Sequence, residues 1–226
     1  MALRPAVPLY QQRGSVLVTA PATEPVTATE LRTHLRVDAT ELPDAEANGL
    51  IAESRQTIED LTGLAFISQS WRLSIDRWPG GAEAWWDGVR QMSITGLYAP
   101  SYMTSVELPR WPLASVTSVT VYDEDSNDET VTVLNTFDVD TYNVPGRMTL
   151  KRGSTWPIAL RANNAIQIVY VAGYANAAAV PATMKRALKQ LAAFSYTNRG
   201  DMCEPADAME KSGANSLLAI YRPMRV

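Results

Sequence analysis

The side chains able to do chemistry are few and badly placed for it. The chain carries one histidine, His34, and one cysteine, Cys203. A single cysteine cannot form an internal disulfide, and one residue of each kind leaves a Cys/His metal centre short of ligands. No metal and no cofactor is expected. His34 falls beside the apolar stripe of a short predicted helix with no Ser or Cys nucleophile motif nearby, so it reads as a partly exposed helix residue rather than a catalytic base. Glu53, Gln56, Glu59 and Asp60 fall away from the apolar face of a second predicted helix, a solvated acidic side with no partner to tune a pKa. Asp123, Asp125 and Asn127 imitate the opening of a calcium loop, but its sixth position is Asp128 rather than Gly and its twelfth is Leu134 rather than Glu. A solvated hairpin tip is the expectation there. The sequence has no Gly-rich phosphate loop, no G-x-S-x-G elbow and no H-E-x-x-H. These absences shift the weight from an enzyme to an interaction protein.

Two kinds of side chain remain, aromatic and basic. Trp85, Trp86, Tyr98 and Tyr102 lie among Gly, Pro and Ser in residues 82–105, where exposed aromatics would grip sugars, bases or a partner protein. Core packing or a self-interface accounts for them equally well. Lys185, Arg186 and Lys189 stand on a C-terminal helix, and Tyr221, Arg222, Pro223, Met224, Arg225 and Val226 end the chain in a short basic segment suited to a groove or sheet edge on another subunit. From Asn176 onward there are seven Lys/Arg against four Asp/Glu, a local +3 within a formal net charge of −4. The overall balance gives no electrostatic reason to bind nucleic acid. A basic end on an acidic body suits contact with another acidic surface, including a second copy.

The elements that must position these groups centre on Pro181 to Gly200. Pro181 suits a first helical turn and Gly200 a left-handed stop. Met184, Ala187, Leu188, Leu191, Phe194 and Ser195 recur three, four and seven apart and form one stripe. The apolar faces that match it lie far upstream. Thr27-Ala28-Thr29-Glu30 is a capping box, followed by Ala28, Leu31 and Leu35 on one side of a short helix. Asp44 is read as the cap of a second helix whose face is Ala47, Leu50, Ile51, Ser54, Ile58 and Leu61, ended by Gly63.

Between these ends the period changes to two. Strands are expected at Trp71 to Arg77, Ser115 to Tyr122, Thr130 to Leu134, Tyr142 to Val144, Arg147 to Leu150 and Ala165 to Tyr170, with short ones at Ser15 to Thr19 and Met92 to Leu97. Residues 201–212 read as loop, and Ser216 to Tyr221 as one or two helical turns. The fold class is α+β, a small helical bundle formed from the N- and C-terminal segments with an inserted antiparallel β lobe. The expected division is 1–25 an extended arm, 26–68 the first helical part, 69–175 the β lobe, 176–212 the core helix and loop, and 213–226 a short helix and docking tail. Residues 1–12 make a poor signal peptide, and the most apolar stretch, Ala165 to Val180, is too short and too polar to span a bilayer, so a soluble protein without membrane contact is expected.

Taken together, Val26-Thr27-Ala28-Thr29-Glu30-Leu31-Arg32, Ile58-Glu59-Asp60-Leu61-Thr62-Gly63, Trp71-Arg72-Leu73 and Leu108-Pro109-Arg110-Trp111-Pro112-Leu113-Ala114-Ser115-Val116 form a familiar series. Gly146-Arg147, Trp156-Pro157, Ala165-Ile166, Val169-Tyr170, Ala172-Gly173-Tyr174 and Pro181 to Arg199 continue it. The series resembles the head-tail connector, or adaptor, family of long-tailed phages, prophages and gene transfer agents. These motifs are structural and mark no catalytic site. The resemblance implies a virion protein at the head-tail junction, assembled in the bacterial host cytoplasm, forming a homo-oligomeric ring of roughly twelve copies. Its implied partners are the portal protein, the next connector, stopper or tail protein, and double-stranded DNA passing through the channel without sequence-specific binding. It also implies that the C-terminal segment reaches the portal. Residues 79–105 depart from the family pattern as an extension, with Trp85 and Trp86, together with Lys185, Arg186 and Lys189, as candidate contacts between subunits. The competing reading is a carbohydrate-binding or hydrolytic β-domain of a phage tail, motivated by the tryptophans.

Overall fold

The computed structural model describes residues 13–78, 105–157, 161–199 and 204–221. Trp85, Trp86, Tyr98, Tyr102, the expected strand at 92–97, Gly200, Cys203 and Arg222 to Val226 lie outside them. The chain divides into a helical unit of Thr19–Gln69, Arg110–Ala114 and Ala172–Val226 and a β unit of Met1–Val18, Ser70–Pro109 and Ser115–Val171, each in its described part.

In the helical unit, helix α1 (Ala28–Leu35) opens on the capping box, with Glu30 N–H donating to Thr27 Oγ1 at 3.2 Å and Thr27 N–H to Glu30 Oε2 at 2.8 Å. Helix α2 (Asp44–Thr62) starts differently from expectation. Pro43 occupies the cap position without a side-chain bond, and Asp44 is the first helical residue. Its carboxylate takes an ion pair from Arg32 at 2.7 Å, while Arg32 also donates to the Leu42 carbonyl at 3.0 Å. Arg32 therefore ties α1 to the entry of α2, which is why Asp44 is not free to cap.

After the short helix α3 (Val133–Thr136) of the β unit, the C-terminal segment supplies α4 (Ala182–Thr197), α5 (Pro205–Lys211) and α6 (Ala214–Leu218), with a 3-10 turn at Ala219–Tyr221. Met184, Ala187, Leu188, Leu191 and Ala192 are buried on α4, whereas Phe194 and Ser195 are only half-buried. α4 closes at Asn198, whose φ of −108° is not left-handed and whose Nδ2 donates to the Phe194 carbonyl at 2.8 Å. The stretch expected as loop contains α5, with Pro205 in its first turn and Met209 buried. α4 packs against α1, α2, α5 and α6. Leu31, Leu42, Ile51, Ile58, Phe66, Met184, Leu188 and Leu218 share one core, each worth roughly 1.5–3 kcal/mol of apolar burial. The terminal segments of the chain thus do build one bundle.

The β unit holds two sheets. The five-stranded sheet runs in the order β1 (Arg13–Thr19), β2 (Gln69–Ile75), β8 (Ile166–Ala172), β4 (Leu113–Tyr122) and β5 (Asp128–Val131); the three-stranded one runs β3 (Ser105–Glu107), β7 (Arg147–Leu150) and β6 (Phe137–Asp140). β2 and β8 alternate buried and half-buried residues along their whole length, as the period of two required. β4 and β5 form an antiparallel hairpin with Val119 opposite Val131 and Tyr122 opposite Asp128. At its tip the Asp123 carboxylate accepts two bonds from Asn127 at 2.8 Å, backbone and side chain. The expected strand at 130–134 ends at Val131, and α3 and β6 follow it. Tyr142 to Val144 is a turn rather than a strand, because Asp140 accepts the N–H groups of Tyr142 and Asn143 and also pairs with Arg147 at 3.0 Å. Asx-type bonding of this kind competes with a ladder and wins here.

Trp78 stacks on Trp156 at 4.5 Å and tilts against Phe137 at 5.7 Å, while its indole N–H donates to the Pro157 carbonyl at 2.8 Å. Trp78→Ala is expected to cost about 3–5 kcal/mol, read by chemical denaturation. Tyr142→Ala, at a side chain 96% exposed, is expected to stay within about 0.5 kcal/mol of the parent.

Candidate functional site

Three separate stretches of the chain meet at the C-terminal end of α2. Gly63, with φ of 78°, turns the chain out of the helix, and its N–H donates to the Glu59 carbonyl. Arg110 then reaches the same carbonyl with Nη1 at 2.5 Å and the Asp60 carboxylate with Nη2 at 3.1 Å, while Trp111 donates its indole N–H to the Thr62 carbonyl at 3.3 Å. The guanidinium thus gives the Glu59 carbonyl a second donor, and the indole gives a partner to the Thr62 carbonyl, one of those a helix end leaves open.

Five backbone hydrogen bonds complete the clasp: Ala65 to Trp111 at 2.7 Å, Trp111 to Gly63 at 3.1 Å, Gly173 to Pro112 at 2.8 Å, Ser68 to Tyr174 at 2.8 Å and Tyr174 to Phe66 at 3.3 Å, donor first in each. Gly173 has φ of +109°, and a Cβ placed on it would lie 2.3 Å from the Ile67 carbonyl oxygen. Only glycine lets these backbones approach so closely.

Beneath the clasp lies a carboxylate. Glu59 is buried, 3% exposed, against the expectation that it faces solvent. Its Oε1 accepts the Phe66 N–H at 2.9 Å and Gln69 Nε2 at 3.0 Å, and its Oε2 accepts Arg55 Nη1 at 2.8 Å. Arg55 in turn donates from Nε to Glu24 at 2.9 Å. Burial pushes the Glu59 carboxyl above its ordinary value of 4.5, although the Phe66 N–H, Arg55 and Gln69 all favour the ionised form. With both oxygens occupied by protein donors, this carboxylate has a structural job.

Elsewhere on the helical unit two surfaces stand out. Lys185, Arg186 and Lys189 project from α4 beside α1, and none has a carboxylate within ion-pair distance among the described residues. Partial burial and then Lys189 and Arg186 hold the His34 imidazole below its ordinary 6.5. The Thr27 N–H, and more weakly Lys185 and Lys189, hold Glu30 below its own ordinary value. On α2, Glu53, Gln56, Thr57, Asp60 and Leu61 join Pro205 of α5 around an open groove of about 300 Å³. Leu61, expected in the core, is 45% exposed there.

No family model and no curated protein matches the chain. Solved structures do. A chain in the neck of an empty gene transfer agent particle, computed with C6 symmetry, superposes with a TM-score of 0.69 at 22% identity over 94% of this chain and 97% of its own. The chain has a gene transfer agent neck fold. Chains from the virion of a native gene transfer agent particle and from a native neck computed with C12 symmetry superpose with TM-scores of 0.67 and 0.62 at 23% and 21% identity, over 94% of this chain and 96% and 97% of theirs. The resemblance to the connector family of gene transfer agents and phages read from the sequence therefore holds for the fold, the α+β class included.

Within this neck fold, three of the motifs behind that resemblance meet at the clasp: Ile58 to Gly63, Leu108 to Val116 through Arg110, Trp111 and Pro112, and Ala172-Gly173-Tyr174. Of the residues singled out for subunit contacts, Lys185, Arg186 and Lys189 lie together on one face, and Trp85 and Trp86 lie outside the described residues. Of the tail, Tyr221 packs half-buried on the helical core, where burial, and then Tyr221, hold the Tyr174 hydroxyl above its ordinary value. Among the described residues no group of three His, Cys, Asp or Glu could hold a metal ion, and no helix is long and apolar enough to cross a membrane. Sequence reasoning missed Glu59 because it sits one residue past Ile58, at the rim of the stripe. The nearby Arg55, four residues earlier, was the available signal.

Breaking the buried pair with Glu59→Ala is expected to cost about 3–5 kcal/mol, and forcing a Cβ into the clasp with Gly173→Ala at least about 2 kcal/mol, both by chemical denaturation. Because the folded value of Glu59 lies above the unfolded one, its contribution to stability is complete below about pH 4.5 and is lost as pH climbs through the raised value. Glu59→Gln removes that titration, so unfolding measured from pH 4.5 to about pH 7 should show a smaller loss than in the parent.

Proposed function

We propose that the chain is a structural head-tail connector subunit that forms a ring below the portal, joins capsid to tail and surrounds the DNA passage. The observation that carries the reading is the likeness of fold over 94% of the chain to chains from gene transfer agent necks, two of them computed with C6 and C12 symmetry. A closed ring of identical subunits uses heterologous contacts, each copy presenting one face to the next. The subunit works mechanically and not as an enzyme. Its partners are further copies, the portal protein, the next connector, stopper or tail protein, and double-stranded DNA. The duplex slides because few Lys or Arg partners meet its phosphates, and Lys185, Arg186 and Lys189 serve protein contacts instead. Tyr221 anchors the segment Arg222 to Val226, which docks on the portal. The protein acts in the particle after assembly in the host cytoplasm.

Electron microscopy of the purified chain, alone and mixed with its portal, tests the reading. Rings bound to the portal are expected, and a chain that stays monomeric in both conditions overturns it. Deleting Arg222 to Val226 should abolish portal-bound rings while leaving the circular dichroism spectrum unchanged. Wild-type yield of portal-bound rings from the deleted chain would rule out the docking role of the tail.

A further inference from the structure

Two surfaces of the helical unit complement one another and lie too far round the bundle to meet within one chain. α1 and α5 each pack on both α2 and α4, without comparable packing on each other. The basic face belongs to the α1/α4 side and the groove to the α2/α5 side. On the basic face Lys185 and Lys189 act on the Glu30 carboxylate, which the Thr27 capping box already engages. On the groove side Glu53 lines the cleft beside Pro205 and has no ion-pair partner among the described residues. Asp60 lines the groove too, but Arg110 already balances it. Leu61 adds an apolar floor, 45% exposed on a helix whose other stripe residues are covered.

We propose that the α2/α5 groove receives the α4 basic face of a second copy of this chain, with Lys185, Arg186 and Lys189 of one subunit meeting Glu53 of the next over Leu61. This assignment rests on the ring reading and names the surfaces that close the ring. Charge complementarity selects the occupant: an anionic partner such as DNA would be repelled by the groove, and a cationic one by the basic face, whereas a second copy satisfies both at once. A pairing of two different faces is also the head-to-tail kind that generates closed rings rather than twofold dimers. The long Lys and Arg stems cover the Leu61 side chain while their charged ends reach the Glu53 carboxylate.

The test is a charge exchange on the full chain. One variant carries Glu53→Lys, the other Arg186→Glu with Lys189→Glu, and circular dichroism confirms that each keeps the parent fold. Each variant alone sets like charges against each other at the exchanged positions, so self-association by sedimentation velocity, and rings by electron microscopy with the portal, should weaken at least about tenfold. Mixed in equal amounts, the two restore complementary contacts, and alternating rings with an even number of subunits are expected by native mass spectrometry. Variants that each assemble as well as the parent, or a folded mixture that does not recover, overturn the pairing of these faces while leaving the ring itself standing. A parent chain that forms no ring even on the portal removes the ring reading and this contact with it.

Discussion

A buried carboxylate that must find its donors limits how the helical unit can be put together. Glu59 accepts from Arg55 one turn earlier, from the Phe66 backbone just after the helix, and from Gln69 at the start of β2. An uncompensated charge there would be severely destabilising, so the segment from Leu64 to Gln69 is fixed in one register against α2. That register in turn presents the Ala65, Phe66 and Ser68 backbone to Trp111 and Tyr174, where the chain passes through the helical unit a second and third time. An apolar side chain could fill the same volume, but it would not choose among registers.

Much of this was legible in sequence, and the part that was not has a common physical origin. Periodicity located α1, α2, α4, β2, β4, β7 and β8, because one-sided burial imposes a period on every element that contributes to a core. The capping box at Thr27 and the left-handed exit at Gly63 followed from local backbone chemistry. What escaped notice depended on which side chain takes which partner. Asp44 had the right residue type for a cap but is held by Arg32; Glu59 looked solvated and is covered by Phe66 and Gln69; Tyr142 to Val144 looked extended and is bent by Asp140. α5 was missed because seven residues carry too little period to register, and only Pro205 and Met209 marked it. The clasp itself was visible as motif and opaque as mechanism: Arg110, Trp111 and Gly173 were recognisable as a pattern, but nothing local says that they gather at one helix end.

This architecture fits the role proposed above, a structural part that holds its shape. The residues with the strongest geometric demands, Gly63, Gly173, Arg110, Trp111 and Glu59, all serve the interior of the helical unit, and the charged residues without partners sit on its outer faces. Rigidity inside and charged faces outside are what the proposed ring subunit needs, since every copy must present the same two faces at the same angle for a ring to close. The likeness to gene transfer agent neck chains at 21–23% identity shows that the fold is kept while most residues differ.

The claim that the clasp is the framework of the helical unit can be read directly by native-state hydrogen exchange. The amides of Ala65, Phe66, Trp111 and Gly173 should be protected as strongly as those of Leu188 and Leu191 in the centre of α4, opening only with global unfolding. Exchange at those four amides as fast as in the exposed turn at Tyr142, with α4 still protected, would contradict the account and leave the bundle standing on apolar packing alone.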